Sequence, residues 1–165
     1  MQKIASDSGF SLVEMMVVVV IIGLMTSAVI LTIPTQSSEL FQTAERTEKA
    51  MTVLSRRSVM TGEILGAKFS TVGFDVFKLS DNGWVIEDRI LKPESQVWTS
   101  AVPAMLDVNN VAVEFSNEIE SPHIWFLPTG EHPSFKLVLM DGGQRAEISS
   151  APSGIIKVSG GGSNG

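Results

Sequence analysis

"SGFSLVEMMVVVVIIGLM", residues 8–25, sets one carboxylate, Glu14, at the head of a long apolar run. From Met15 to Ser38 no Asp, Glu, Lys or Arg occurs. A run of that length meets the roughly 20-residue requirement for a helix crossing about 30 Å of hydrocarbon. The stretch therefore predicts a membrane-spanning helix. Glu14 needs its own explanation, because a carboxylate near the end of such a helix costs on the order of 1–3 kcal/mol unless it is paired or reaches the interface. A cleavable secretory signal fits poorly. The segment before the run, "MQKIASDSG", carries Asp7 as well as Lys3, and the run is longer than the 7–15 apolar residues of a signal core.

Outside this run the chain is charged and polar. With 165 residues and a formal charge of −6, it has room for one modest domain once the apolar helix is set aside. It contains no cysteine, which removes disulfides, thiolate nucleophiles and cysteine zinc sites. Leu40, Ala44, Met51 and Leu54 recur at helical spacing among Glu39, Glu45, Arg46, Glu48 and Lys49, predicting an amphipathic helix to about Thr61 with Gly62 as its stop. Arg56 and Arg57 on it read as a solvated face. Beyond Glu63 the pattern changes to short β-like runs. "ILGAKF", "GFDVFKL" and "WVIE", with Asp81-Asn82-Gly83 between the last two, predict strands and a hairpin. "VAVEF", "HIWFL", "SFKLVLM", "RAEIS" and "GIIKV" predict a β-meander in the C-terminal half. Residues 88–110, with Pro93 and Pro103, read as an irregular crossover between two sheets.

Gly9, Phe10 and Glu14 in "GFSLVEMMVVVVIIGLM" resemble the processing motif of type IV prepilins. The resemblance implies that a prepilin peptidase cuts between Gly9 and Phe10 and methylates the new N-terminus at Phe10. It also implies an assembly and docking role for Glu14, whose carboxylate would neutralise the cationic N-terminus of a neighbouring subunit in apolar surroundings. Pro34 is expected to kink the helix. The C-terminal stretch "HIWFLPTGEHPSFKLVLMDGGQRAEISSAPSGIIKV", residues 123–158, resembles the head of GspH/FimT-type minor pseudopilins.

The expected fold is α+β, a long N-terminal membrane-spanning helix packed on an all-β, two-sheet periplasmic head. Its parts are a leader peptide (1–9), a transmembrane and assembly helix (10–33), an amphipathic continuation (34–61), a β-sheet head (62–158) and a flexible tail (159–165). The resemblance implies a minor pseudopilin of a type II protein secretion system, single-pass in the bacterial inner membrane, assembled at or near a pseudopilus tip to support export of folded proteins. Its implied partners are the prepilin peptidase, other major and minor pseudopilins, the inner-membrane secretion platform and secreted cargo. The alternative is a FimT-like minor pilin of a type IV pilus that binds DNA during uptake. Residues 39–165 hold 11 Lys or Arg against 16 Asp or Glu, which argues against nucleic acid as a partner.

No enzyme, cofactor or metal site is expected. His123 and His132 form no helical metal motif with Glu118, Glu120 or Glu131, and both read as exposed turn residues. Asp141-Gly142-Gly143 lacks the alternating carboxylates of a calcium loop and predicts a tight hairpin. No GxSxG, SxxK, P-loop or GxGxxG is present. Trp84, Trp98 and Trp125 are expected in the core or covering a sheet.

Overall fold

The computed structural model describes residues 12–30, 39–98, 101–115 and 121–161. The chain divides into two units, Met1–Gln36 and Ser37–Gly165. In the first, helix α1 runs from Leu12 to Ile30, a rise of roughly 28 Å for its 19 residues. The successive side chains Leu12, Val13, Met15, Met16 and Val17 are all exposed, so apolar surface points to every side of the helix. The side chains described on α1 end at Ile22, and among the described residues no helix is long and apolar enough to cross a membrane. Pro34 and its expected kink lie outside the described residues, as does the expected leader.

The second unit begins with α2, Glu39–Thr61. Its buried stripe, Leu40, Thr43, Ala44, Thr47, Ala50, Met51, Leu54 and Ser58, follows the helical period, as an amphipathic helix lying on a core requires. Gly62, at φ 73°, closes it by donating its N–H to Ser58 O at 3.0 Å, a left-handed cap that side chains with a Cβ adopt only under strain. The three buried hydroxyls on this stripe all have partners. Trp98 Nε1 donates to Thr47 Oγ1 at 3.3 Å, Thr47 in turn donates to the Thr43 backbone O at 2.9 Å, and the Thr43 hydroxyl accepts from Arg46 Nη2 at 3.0 Å. Ser58 Oγ lies 2.8 Å from Phe126 O, which ties the helix to a strand 68 residues later.

Among the described residues nine strands follow: β1 Leu65–Ser70, β2 Gly73–Ser80, β3 Gly83–Ile86, β4 Val102–Val108, β5 Val111–Val113, β6 Ile124–Phe126, β7 Phe135–Asp141, β8 Gln144–Ser150 and β9 Lys157–Gly161. They form two antiparallel sheets, ordered β3-β2-β1-β6 and β5-β4-β7-β8-β9. α2 touches both sheets, meeting β1 and β6 of the first and β7, β8 and β9 of the second. One core fills the space between them, built on Leu40, Met51 and Leu54 of α2, Phe69 and Phe126 of the first sheet, and Leu106, Leu137 and Ile148 of the second.

The expected β2–β3 hairpin is present, and so is the tight β7–β8 turn. There Asp141 pairs with Gln144 across Gly142 and Gly143, whose φ values of 52° and 91° suit a two-residue turn that needs left-handed backbone. Three expectations are corrected. The supposed crossover 88–110 contains β4, an interior strand of the second sheet. Pro103 is tolerated there because β5 pairs only with Leu106–Val108, so at Pro103 the strand has β7 alone as a neighbour, and the register shifts between Pro103 and Met105. "HIWFL" does not continue the C-terminal meander: β6 crosses to the first sheet and pairs with β1, Leu65 opposite Phe126. Finally, the glycine-rich tail is in part a strand. Ser159, Gly160 and Gly161 pair with Glu147, Ala146 and Arg145 in β9. Gly160 lies against the ring of Phe41 on α2, in space that a Cβ would occupy.

Candidate functional site

Glu14 stands in the first turn of α1, exposed to solvent and surrounded by exposed valine, leucine and methionine side chains. The N-terminal end of a helix carries partial positive charge, so a carboxylate there is favourably placed. Gly9 and Phe10, the expected cleavage pair, lie outside the described residues. What it does establish locally is a helix whose apolar surface is exposed on all sides from Leu12 to Ile22, interrupted by one carboxylate. An all-round apolar helix of this kind requires lipid or other helices to cover it. Chemically the arrangement offers apolar contact surface and one carboxylate.

The other titratable candidates are structural. His123 and His132 are not exposed turn residues; both are buried. His123 Nδ1 accepts the Phe69 backbone N–H at 3.2 Å, which leaves the ring proton on Nε2. Nε2 is buried with no hydrogen-bond partner among the described residues. Burial, and secondarily the nearby charge of Lys68, holds the pKa of His123 below its ordinary value. His132 braces a loop instead, with Nδ1 2.9 Å from Pro133 O and Nε2 3.1 Å from Gly154 O. Their burial was hidden in sequence because each lies just outside an apolar run, and only the packing of Phe69 on one ring and of Phe126 and Phe135 on the other encloses them. Among the described residues no group of three or more His, Cys, Asp or Glu side chains is arranged to hold a metal ion. Trp98 is buried in the core, whereas Trp125 on β6 remains 39% exposed.

Among the described residues of the head, Arg145 Nη2 lies 3.0 Å from Glu147 Oε2, and the shortest ion pair has Lys78 Nζ 2.6 Å from Glu63 Oε1, with Arg57 approaching the other oxygen at 4.0 Å. The Lys78 hydrogen bond is the largest influence holding the Glu63 carboxyl below its ordinary pKa. The pair joins the connection between α2 and β1 to β2. Sequence reading passed over it because the two residues come from separate elements.

Residues 4–30 match the prokaryotic N-terminal methylation motif. No curated relative matches the chain. Among solved structures, the fold is similar to that of the minor pseudopilin EpsH from the type 2 secretion system of Vibrio cholerae, at 14% identity and a TM-score of 0.61, covering 73% of this chain and 95% of that one. A crystal structure of the same minor pseudopilin aligns at 14% identity and a TM-score of 0.62, covering 78% of this chain and 100% of the other. The solution structure of Escherichia coli GspH aligns at 18% identity and a TM-score of 0.57, covering 74% and 88% of the two chains. At these identities the likeness is one of fold. The chain thus joins a prepilin-type N-terminal motif to a head with the minor-pseudopilin fold, as the sequence resemblance implied.

Proposed function

We propose that this chain is a minor pseudopilin of a type II protein secretion system. In this reading residues 10–33 anchor it in the inner membrane, its head lies in the periplasm, and it assembles with other pseudopilins at or near the tip of a pseudopilus that supports export of folded proteins. The single observation that carries the proposal is the pairing of the methylation motif at residues 4–30 with a two-sheet head of minor-pseudopilin fold.

The mechanism needs no bond-making by the chain itself. Cleavage between Gly9 and Phe10 would expose a new amine at the start of the helix. In a bundle of staggered helices that amine and Glu14 of the neighbouring subunit would each be costly alone and less costly paired, so the pair favours one axial register. The exposed apolar surface of α1 supports this reading, because side-by-side helices in a filament core or in lipid would cover it.

Mass spectrometry of the mature N-terminus tests the proposal. The expected species begins at methylated Phe10. In Gly9→Val, the larger side chain should obstruct approach of the scissile bond to the peptidase and leave an unprocessed, membrane-inserted precursor. A wild-type chain that keeps Met1 in a host with active prepilin peptidase would overturn the reading.

A further inference from the structure

Four of the 11 Lys and Arg residues of the otherwise acidic segment 39–165 come together along one side of α2. Two shallow depressions, of about 260 and 280 Å³, meet at Val53 and run between α2 and the segment around Ile90 and Leu91. Arg46 and Lys49 border the first, Arg56 and Arg57 the second, and no carboxylate lines either. Val53 is 43% exposed and Met60 85% exposed, although both sit on the helix that carries the core. The helical period explains the alignment. Residues 46, 49, 53, 56 and 60 recur every three or four positions, opposite the buried stripe that includes Thr47, Met51, Leu54 and Ser58.

Arg46 donates within the helix, from Nε to Gln42 O at 3.3 Å and from Nη2 to Thr43 Oγ1 at 3.0 Å, while the ion pairs on this face are loose. Lys49 reaches Glu45 at 3.4 Å with both side chains more than half exposed, and Arg57 reaches Glu63 only at 4.0 Å, while Lys78 holds that carboxylate at 2.6 Å. Such exposed pairs contribute little to stability, so they do not account for the concentration of charge here. Of the trough's apolar residues, Ala50 belongs to the core and Ile90 and Leu91 pack against it, whereas Val53 and Met60 stay exposed and contribute nothing to it.

We propose that this trough is a docking site for an acidic segment of another protein, one that presents apolar side chains to Val53, Met60 and Ile90 and carboxylates to the two basic ends. Charge complementarity sets the sign of the partner, since a cationic trough on a chain of net charge −6 attracts what the rest of the surface repels. The apolar floor sets its class. No aromatic side chain lines the trough, so it lacks the stacking surfaces of a nucleic-acid groove, whereas a protein segment would cover Val53 and Met60. The interval from Lys49 to Arg56, seven residues or roughly 10 Å of helix, sets the spacing of the two carboxylate clusters about a central apolar anchor. The site belongs to the head alone and does not depend on how the N-terminus is processed.

The test places a benzophenone photocrosslinker at Val53 in the full-length chain in its host membranes, with the mature N-terminus checked by mass spectrometry in the same sample. The expected result is a protein adduct mapping to a segment in which Asp or Glu residues flank apolar ones. Lys49→Glu combined with Arg56→Glu should lower its yield about tenfold, a loss of about 1.4 kcal/mol. Substituting Lys for the mapped carboxylates should restore it, which a misfolded variant would not permit. The same photocrosslinker at exposed Val85 serves as the background. Adducts to nucleic acid, to lipid, to a second copy of this chain or to a segment without carboxylates would overturn the proposal. So would a yield no higher than at Val85, or one that charge reversal leaves unchanged.

Discussion

His123 couples a buried ring to the pH of the surroundings. Burial and Lys68 depress its pKa in the folded state, so the folded head holds the ring neutral while the unfolded chain takes up a proton at about 6.5. The unfolded state therefore binds more protons as the pH falls through that value. Stability contributed by the neutral ring is full above about 6.5 and declines below it until the folded-state pKa is reached. Thermal melts of the head should show the midpoint falling between pH 7.5 and 5.5. His123→Asn, which keeps an acceptor for the Phe69 N–H but does not titrate, should flatten that dependence. An unchanged slope would assign the acid sensitivity to other groups. Glu14 poses the complementary question of an exposed charge on an apolar helix. If it docks a neighbour's amine, Glu14→Leu should leave processing and membrane insertion intact while crosslinking to other subunits and secretion both fall. Normal crosslinking and normal secretion in that variant would reduce Glu14 to an incidental charge.

At the scale of the element, α2 and β9 are mutually dependent. Ser159, Gly160 and Gly161 have poor intrinsic β propensity and little side chain to pack, yet β9 pairs with β8 over five registered positions. The absence of a Cβ at Gly160 is what admits the Phe41 ring of α2. Gly160→Val should improve local strand propensity and still destabilise the head, by about 1–3 kcal/mol, because the ring must move from packed surroundings. Chemical denaturation checks the sign: a more stable variant would mean that Phe41 relocates freely. The element is thus defined by what it leaves room for. β4 illustrates a similar point, for Pro103 sits inside a central strand at a place where only one neighbour requires a ladder hydrogen bond.

At the scale of the whole molecule, the division into Met1–Gln36 and Ser37–Gly165 separates two ways of burying apolar surface. The second unit holds the continuous core from Leu40 to Ile156, whereas the apolar side chains of α1 from Leu12 to Ile22 are exposed. A fragment of residues 37–165 should therefore fold alone, with a β-rich circular dichroism spectrum and a cooperative melt, because it retains α2 and both sheets. Loss of cooperativity in that fragment would show that the head needs the first unit. Within the head, two sheets share a single helix, so damage to the α2 stripe should lower the stability of both together.

The sequence by itself determined whatever depends on residues near one another in the chain. The apolar run and Glu14, the helical stripe of α2 and its stop at Gly62, and the hairpins at Asp81–Gly83 and Asp141–Gly143 were all legible, since periodicity and turn chemistry are local. The methylation motif was legible for the same reason. Tertiary structure alone decided which strands pair, because short apolar runs such as "IWF" carry no record of their partner: β6 joined β1, and a proline-bearing segment became β4. It also decided that two histidines beside apolar runs are enclosed by aromatic rings and that a glycine-rich tail is a strand against Phe41. In each case the deciding energy comes from burial between residues distant in sequence, and that burial exists only once the two sheets have closed on the helix.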